Sequence, residues 1–299
     1  MRDSTARAVA GGVAGLTTTV LLYPLDLIKV RFQAFEGRTG PGAASRTYRT
    51  TLGAFATAVR SDGARSLYQG LGPSVAANTV SWALYFALYE AAKRRWGAPL
   101  AGWGGEGLRD GAAGALAGAC AVALTNPVWV LKTRMQLDTV QDRQYTSMAQ
   151  ALRRVLATEG ARGLYAGVAP ALLLTSNGAV HMAVYEGLKR WNLRARGSAG
   201  RVHEYFMMGG AAKVVATTVT YPLQVVRTRM QQSPERLTSA YRRTLSTVRA
   251  VLAREGVRGL YKGLGPNLLR VAPASATTFA VYEGVLAALT SASPDSTRV

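Results

Sequence analysis

Six long apolar segments, rich in glycine and alanine, alternate with polar stretches, and the alternation comes in three rounds. The first round predicts a helix over 8–35, a polar loop over 36–47, a short basic amphipathic helix over 49–60, a turn at Asp62-Gly63 and a long helix over 74–96. The second predicts a helix over 109–137, a short one over 147–158, a turn at Glu159-Gly160 and a long helix from Pro170 to near Arg194. The third predicts a helix over 202–232, a short one over 241–254, a turn at Glu255-Gly256 and a long helix from Pro266 to near Thr290. Each long segment exceeds twenty residues, enough to cross roughly 30 Å of hydrocarbon. The runs Ala10-Gly-Gly-Val-Ala-Gly15 and Ala113-Gly-Ala-Leu-Ala-Gly118 give small faces on which a neighbouring helix can approach closely.

Each odd long helix ends on the same ten-residue pattern. The copies are Pro24-Leu-Asp-Leu-Ile-Lys-Val-Arg-Phe-Gln33, Pro127-Val-Trp-Val-Leu-Lys-Thr-Arg-Met-Gln136 and Pro222-Leu-Gln-Val-Val-Arg-Thr-Arg-Met-Gln231. Proline is followed five residues on by a cation, seven on by arginine and nine on by glutamine. Pro24, Pro127 and Pro222 lie inside their helices and are expected to kink them, because proline lacks the backbone donor and crowds the preceding turn. Repetition at so long a period overrides a reading by local elements alone. The expected fold is an all-α membrane protein: six transmembrane helices in three pseudo-threefold repeats (1–100, 101–198 and 199–299) forming one integrated domain around a central hole, each repeat with one short amphipathic helix.

Composition sharpens this. Lys and Arg number 36 against 16 Asp and Glu, a net charge of +20. Such an excess points to nucleic acid or to an anionic membrane surface. Cations placed between apolar segments of spanning length favour the membrane, so no nucleic-acid partner is expected. Mean hydropathy is only slightly positive, at +0.07, which fits helices with one polar face lining a cavity. A single cysteine excludes an internal disulfide, and with two histidines a Cys/His zinc site is not expected. The seven residues before the first apolar segment are too few for a signal or transit peptide. No nucleophile–base constellation, phosphate loop or metal ligand set appears, so neither enzyme activity nor a cofactor is expected.

The even helices carry a register anchored on Glu90, Glu186 and Glu283. Thirteen residues earlier lie Ala77, Leu173 and Arg270; nine earlier, Ser81, Asn177 and Ala274; five earlier, Tyr85, His181 and Thr278. Steps of four stay on one helical face. If that face lines the hole, Arg270 is a charge near mid-membrane, which marks a functional site by default; the alternative is a pair within the bundle. Lys213 replaces the glycine found at Gly15 and Gly118, so it reaches the hole or a helix crossing. Together they suit an anionic ligand. Trp82, Tyr85 and Phe86 offer a stacking surface, against the blander role of packing or interface anchor. Asn78, Ser81, Asn177 and His181 offer hydrogen bonds to a ring edge.

The three patterns, each followed by an acidic-Gly pair and an aromatic-x-Gly, resemble the mitochondrial carrier superfamily over residues 8–290. The resemblance implies short helices on the matrix side, both termini in the intermembrane space, a central site opened alternately to each side, and the mitochondrial inner membrane. Trp129 is similar to the branch carrying folate, FAD, pyrimidine nucleotides and NAD, whose members also occur in chloroplast envelopes and peroxisomes. Tyr221-Pro-Leu-Gln-Val-Val-Arg, Arg270-Val-Ala-Pro-Ala, Ser81-Trp-Ala-Leu-Tyr-Phe86 and Lys213 are similar to its folate/FAD carriers. The expected function is folate and/or FAD transport, with a pyrimidine nucleotide or NAD carrier as the alternative and a non-transporting adaptor as the alternative of another class.

The resemblance also implies gates. The third residue of each pattern, usually acidic, pairs with the next odd helix's cation: Asp26 with Lys132, Trp129 with Arg227, Gln224 with Lys29. Only the first is an ion pair, and the charges could otherwise merely snorkel to the interface. Gln33, Gln136 and Gln231 brace these pairs. The cytoplasmic gate is Glu90 and Lys93, Glu186 and Lys189, and Glu283, where Leu286 replaces a third lysine. Two incomplete gates imply that net transport without exchange is allowed. Gly70, Gly167, Gly263 and Lys262 begin the even helices where the family binds cardiolipin; amides at helix starts suit phosphate. A monomer is expected.

Overall fold

The computed structural model describes residues 2–34, 51–96, 106–138, 145–196, 202–232 and 243–291. The loop expected over 36–47, the starts of the first and third short helices and the boundaries between repeats lie outside these residues. Among the described residues every element is helical. The order is α1 (Arg2–Ala34), α2 (Thr51–Asp62), α3 (Leu71–Trp96), α4 (Glu106–Leu137), α5 (Met148–Glu159), α6 (Val168–Leu173), α7 (Ser176–Arg196), α8 (Val202–Met230), α9 (Thr244–Glu255) and α10 (Leu264–Ser291). Short 3-10 turns at Ala64–Tyr68, Ala161–Tyr165 and Val257–Tyr261 lead into the even helices.

The closest packing is between repeats: α1 against α10, α3 against α4, and α7 against α8. These three contacts close the helices into a ring. Glycine makes the α3–α4 contact close: the Tyr85 hydroxyl lies 3.7 Å from where a Cβ on Gly114 would stand. On hydropathy alone, spans are found at Val9–Ala34, Gly114–Leu137 and Ala161–Ala195. At 26, 29 and 28 residues, α3, α8 and α10 are also long enough.

Each short helix docks on the end of its odd helix through matching apolar positions. Ile28 meets Ala54 and Ala58; Leu131 and Met135 meet Ala151, Val155 and Leu164; Val226 and Met230 meet Val251 and Leu260. Ser147 caps α5 by accepting from the Gln150 amide at 3.2 Å, which fixes the start of that helix.

The fourth long helix departs from expectation. It breaks at Leu174–Thr175, dividing α6 from α7. The Thr175 and Ser176 hydroxyls donate to the Leu172 and Leu173 carbonyls, each at 2.7 Å, and the local backbone bonds shorten to i→i+3. Hydroxyl side chains that compete for helical carbonyls loosen the helix in this way.

Candidate functional site

The repeated ten-residue patterns converge where the odd helices meet. Pro24, Pro127 and Pro222 lie inside α1, α4 and α8, and the residues just beyond them form the floor of a cavity of about 410 Å³. Asp26, Lys29, Trp129, Lys132, Gln224 and Arg227 from the odd helices line it, with Asn78, Asn177, Arg270 and Ala274 from the even ones.

The three expected cross-helix pairs differ in kind. Asp26 binds Lys132 at 2.9 Å between α1 and α4. Arg227 lies over the Trp129 ring with its guanidinium carbon 5.3 Å from the centroid, and the Lys132 ammonium lies over the same ring at 5.3 Å. The third pair does not form: among the described residues Gln224 and Lys29 make no hydrogen bond with each other, although both line the cavity. Arg270 reaches Asp26 at 3.1 Å. This is the within-bundle pair that competed with a purely ligand-facing role, yet the Arg270 side chain stays 38% exposed and lines the cavity.

The brace glutamines are buried and each reaches a neighbouring repeat. Gln136 Nε2 donates to Asp26 at 3.2 Å and to the Tyr23 hydroxyl at 3.0 Å. Gln33 Nε2 donates to the Tyr221 hydroxyl at 3.1 Å, and Thr228 donates to Gln33 Oε1 at 2.8 Å. Gln231 Oε1 accepts from Thr133 at 2.9 Å, but its Nε2 is buried without a partner. The residue before each proline explains the difference, and the sequence reading overlooked it. Tyr23 and Tyr221 donate to the carbonyls of Gln69 and Lys262 while accepting from a brace. In the second repeat that residue is Asn126. It reaches the Leu164 and Ala166 carbonyls, but its Oδ1 is left unpaired. Among the odd helices α4 and α8 also approach each other least. The signal was present in sequence, as Tyr-Pro twice and Asn-Pro once.

A second overlooked tier lies beneath. Arg134 forms a bidentate pair with Glu159, and Arg229 with Glu255. Each also donates through Nε to a carbonyl at the end of the next odd helix: Arg134 to Gln231 at 3.2 Å and Arg229 to Gln33 at 3.0 Å. Arg31 reaches the Asp138 carbonyl at 3.4 Å. Cations suit helix C-terminal carbonyls. Burial pushes the Glu255 carboxyl up, but hydrogen bonds from Arg229 and Lys262 outweigh it and hold the group below the usual carboxylate range. The arginine of the ten-residue pattern and the acid of the acidic-Gly pair, both visible in sequence, are the two halves of this contact.

Of the proposed ligand contacts, Ser81 accepts from Trp129 Nε1 at 3.0 Å. Asn78 donates to the Ser74 carbonyl. Asn177 donates to Thr220 at 2.8 Å and accepts from Lys213 at 3.3 Å, beside the helix break. His181 lies 3.4 Å from the Gly209 carbonyl. The aromatic surface does not reach the floor: Trp82, Tyr85 and Phe86 are absent from its lining. Tyr85 seals the α3–α4 crossing, while Trp82 stacks on Phe86 at 5.8 Å and is 60% exposed.

The cytoplasmic-gate acids lie at the opposite ends of the even helices. Among the described residues no ion pair joins Glu90, Glu186 and Glu283 to a neighbouring helix; Glu186 pairs with Arg190 on its own helix at 3.0 Å, and Lys189 lies over the Tyr205 ring at 5.8 Å. The side chain of Lys93 lies outside the described residues. Gly70, Gly167 and Gly263 adopt left-handed φ of 80°, 73° and 84°. A Cβ on Gly263 would stand 2.9 Å from both the Lys29 carbonyl and the Tyr221 hydroxyl. Lys262, the one cation at these turns, binds Glu255 at 2.6 Å.

The three repeats that share the proline–cation–glutamine floor are each matched in sequence as well. The family model described as mitochondrial carrier protein matches residues 2–99, 106–195 and 198–293. The chain belongs to the mitochondrial carrier family. It is therefore a membrane solute carrier. The carrier is 40% identical over 294 residues to folate transporter 1, chloroplastic, of Arabidopsis thaliana, covering 93% of this chain and 94% of that one. It is 35% identical over 283 residues to mitochondrial nicotinamide adenine dinucleotide transporter 1 of Saccharomyces cerevisiae, with 92% and 75% covered. It is 33% identical over 301 residues to the mitochondrial FAD carrier protein FLX1 of the same yeast, with 93% and 94% covered.

Proposed function

We propose that this carrier moves folate and/or FAD across an organellar membrane by alternating access. The observation that carries the reading is the cavity floor, where four cations (Lys29, Lys132, Arg227 and Arg270) face one carboxylate, Asp26. That balance selects an anion. Folate carries carboxylates and FAD a pyrophosphate, and relatives named for both align along almost the whole chain. Arg270 and Lys213, at different depths, are the first ligand cations. Asp26–Lys132, Trp129–Arg227 and the three glutamine braces form the matrix gate; the first two contacts are made here, and among the described residues no ion pair joins the cytoplasmic acids to a neighbouring helix. Cardiolipin is the proposed lipid partner at the three glycine turns, the inner mitochondrial membrane the proposed location, and a monomer the proposed state.

The similarity to a nicotinamide adenine dinucleotide transporter supports a dinucleotide as the competing cargo. Purified carrier in cardiolipin-containing liposomes, offered tetrahydrofolate, FAD, NAD and UTP in competition, separates the readings. Uptake of folate or FAD that excess NAD and UTP do not suppress is expected. Uptake of NAD or UTP alone overturns the assignment, and no uptake of any favours a non-transporting binding protein.

A further inference from the structure

Two floor cations have no acid bonded to them, although Asp26 acts on Lys29 at longer range. Lys29 would face Gln224, and among the described residues it makes neither a hydrogen bond nor an ion pair. Arg227 would face an acid at 129 but meets the Trp129 ring; its Nε is buried without a hydrogen-bond partner. Asp26 is committed to Lys132 and Arg270. Lys29 and Arg227 nevertheless line the same cavity as Arg270. A half-buried charge without a bonded counter-charge is costly, and within a membrane it persists where function needs it. Arg270 uses Nη1 for Asp26, and a guanidinium has further N–H donors to offer.

We propose that Lys29 is a ligand cation rather than a latch: with Arg227 it forms a second anion subsite on the cavity floor, and the cargo is a small organic molecule with two negative charges, one held at Arg270 and the other here. The cargo then supplies the negative charge that Trp129 and Gln224 do not. A folate places two carboxylates on its glutamate; FAD places two charges on its pyrophosphate. A singly charged analogue engages Arg270 alone and is insensitive to Lys29. This inference rests on the proposed anionic cargo and deepens it.

The test compares folate with pteroate, which lacks the glutamate, in wild-type carrier and in Lys29→Gln and Lys29→Arg, by ligand-induced thermal shift and liposome uptake. Lys29→Gln is expected to weaken folate about tenfold or more, as for loss of one charged hydrogen bond, while pteroate changes less than about twofold. Lys29→Arg keeps the cation and should restore folate. Equal loss for both ligands points to a gating or structural role and overturns the proposal, as does no loss for either. If wild-type carrier ignores folate, the folate reading falls, and the Lys29 assignment is judged on FAD against riboflavin, or on UTP against uridine, in the same variants; no charge-dependent difference in any pair overturns it.

Discussion

Trp129 stands where its repeat partner carries Asp26, and the two side chains hold cations by different means. Asp26 offers a full charge to Lys132 and Arg270. Trp129 offers a ring face to Lys132 and Arg227 and its indole N–H to Ser81. A cation–π contact contributes about 0.5–2 kcal/mol, whereas removing one partner of a buried ion pair costs about 3–5 kcal/mol because the other charge is stranded. Asp26→Asn is therefore expected to destabilise the carrier by about 3 kcal/mol, seen as a drop of roughly 5 °C or more in the melting temperature of detergent-solubilised protein. A change under about 1 °C would show that the pair is solvated. The identities of Asp26, Trp129 and Gln224 were legible in sequence, and so was the kind of contact each can make. That Asp26 also binds Arg270 was not, because the two are 244 residues apart and only the closed ring brings α10 onto α1.

At the scale of elements, the α4–α8 contact is the least complete of the three between odd helices. The other two each join a tyrosine hydroxyl to a buried glutamine; here Asn126 is too short, and Gln231 Nε2 and Asn126 Oδ1 are orphaned. Asn126→Tyr should supply the missing hydroxyl. One added buried hydrogen bond is worth about 1 kcal/mol, so the expected result is a melting temperature raised by about 2–4 °C and slower turnover, since the closed floor is selectively stabilised. A lower melting temperature would mean that the space beside Asn126 does not admit the larger ring. The short helices are tied in by charge. Glu255 holds buried Arg229, and its folded pKa lies below the ordinary value near 4.3. Its stabilisation is complete above that value and is lost as pH falls through the lower folded one. Thermal melts of wild type and Glu255→Gln should differ most at neutral pH and converge in strong acid; a gap independent of pH would rule out the charge as its source. Most element boundaries followed hydropathy, because apolar length and Gly/Pro punctuation are local; α1 instead begins at Arg2, ahead of the apolar segment expected from residue 8. The break at Leu174–Thr175 depends on whether hydroxyls turn back on their own carbonyls, and the pattern of apolar residues does not record that.

For the whole molecule, the three expected pairs between odd helices come to one ion pair, one cation–aromatic contact and one unlatched position, so the empty carrier is expected to reorient without cargo. Proteoliposomes free of internal substrate should take up folate at a rate within about an order of magnitude of counter-exchange; strict dependence on internal substrate would refute this. Trp129→Glu gives Arg227 an acid and should shift the balance toward exchange, lowering net uptake more than exchange. Equal losses of both would indicate simple misfolding.

The sequence by itself determined the three repeats, five of the six long helices as unbroken elements and the family, because these rest on periodic apolar length and on one string repeated in register. It also marked which chemistry sits at each floor position. Only the tertiary structure decided which charges are compensated. That is a property of distances between helices, set by how the ring closes, and it leaves Lys29 and Arg227 without a bonded acid while committing Asp26 twice.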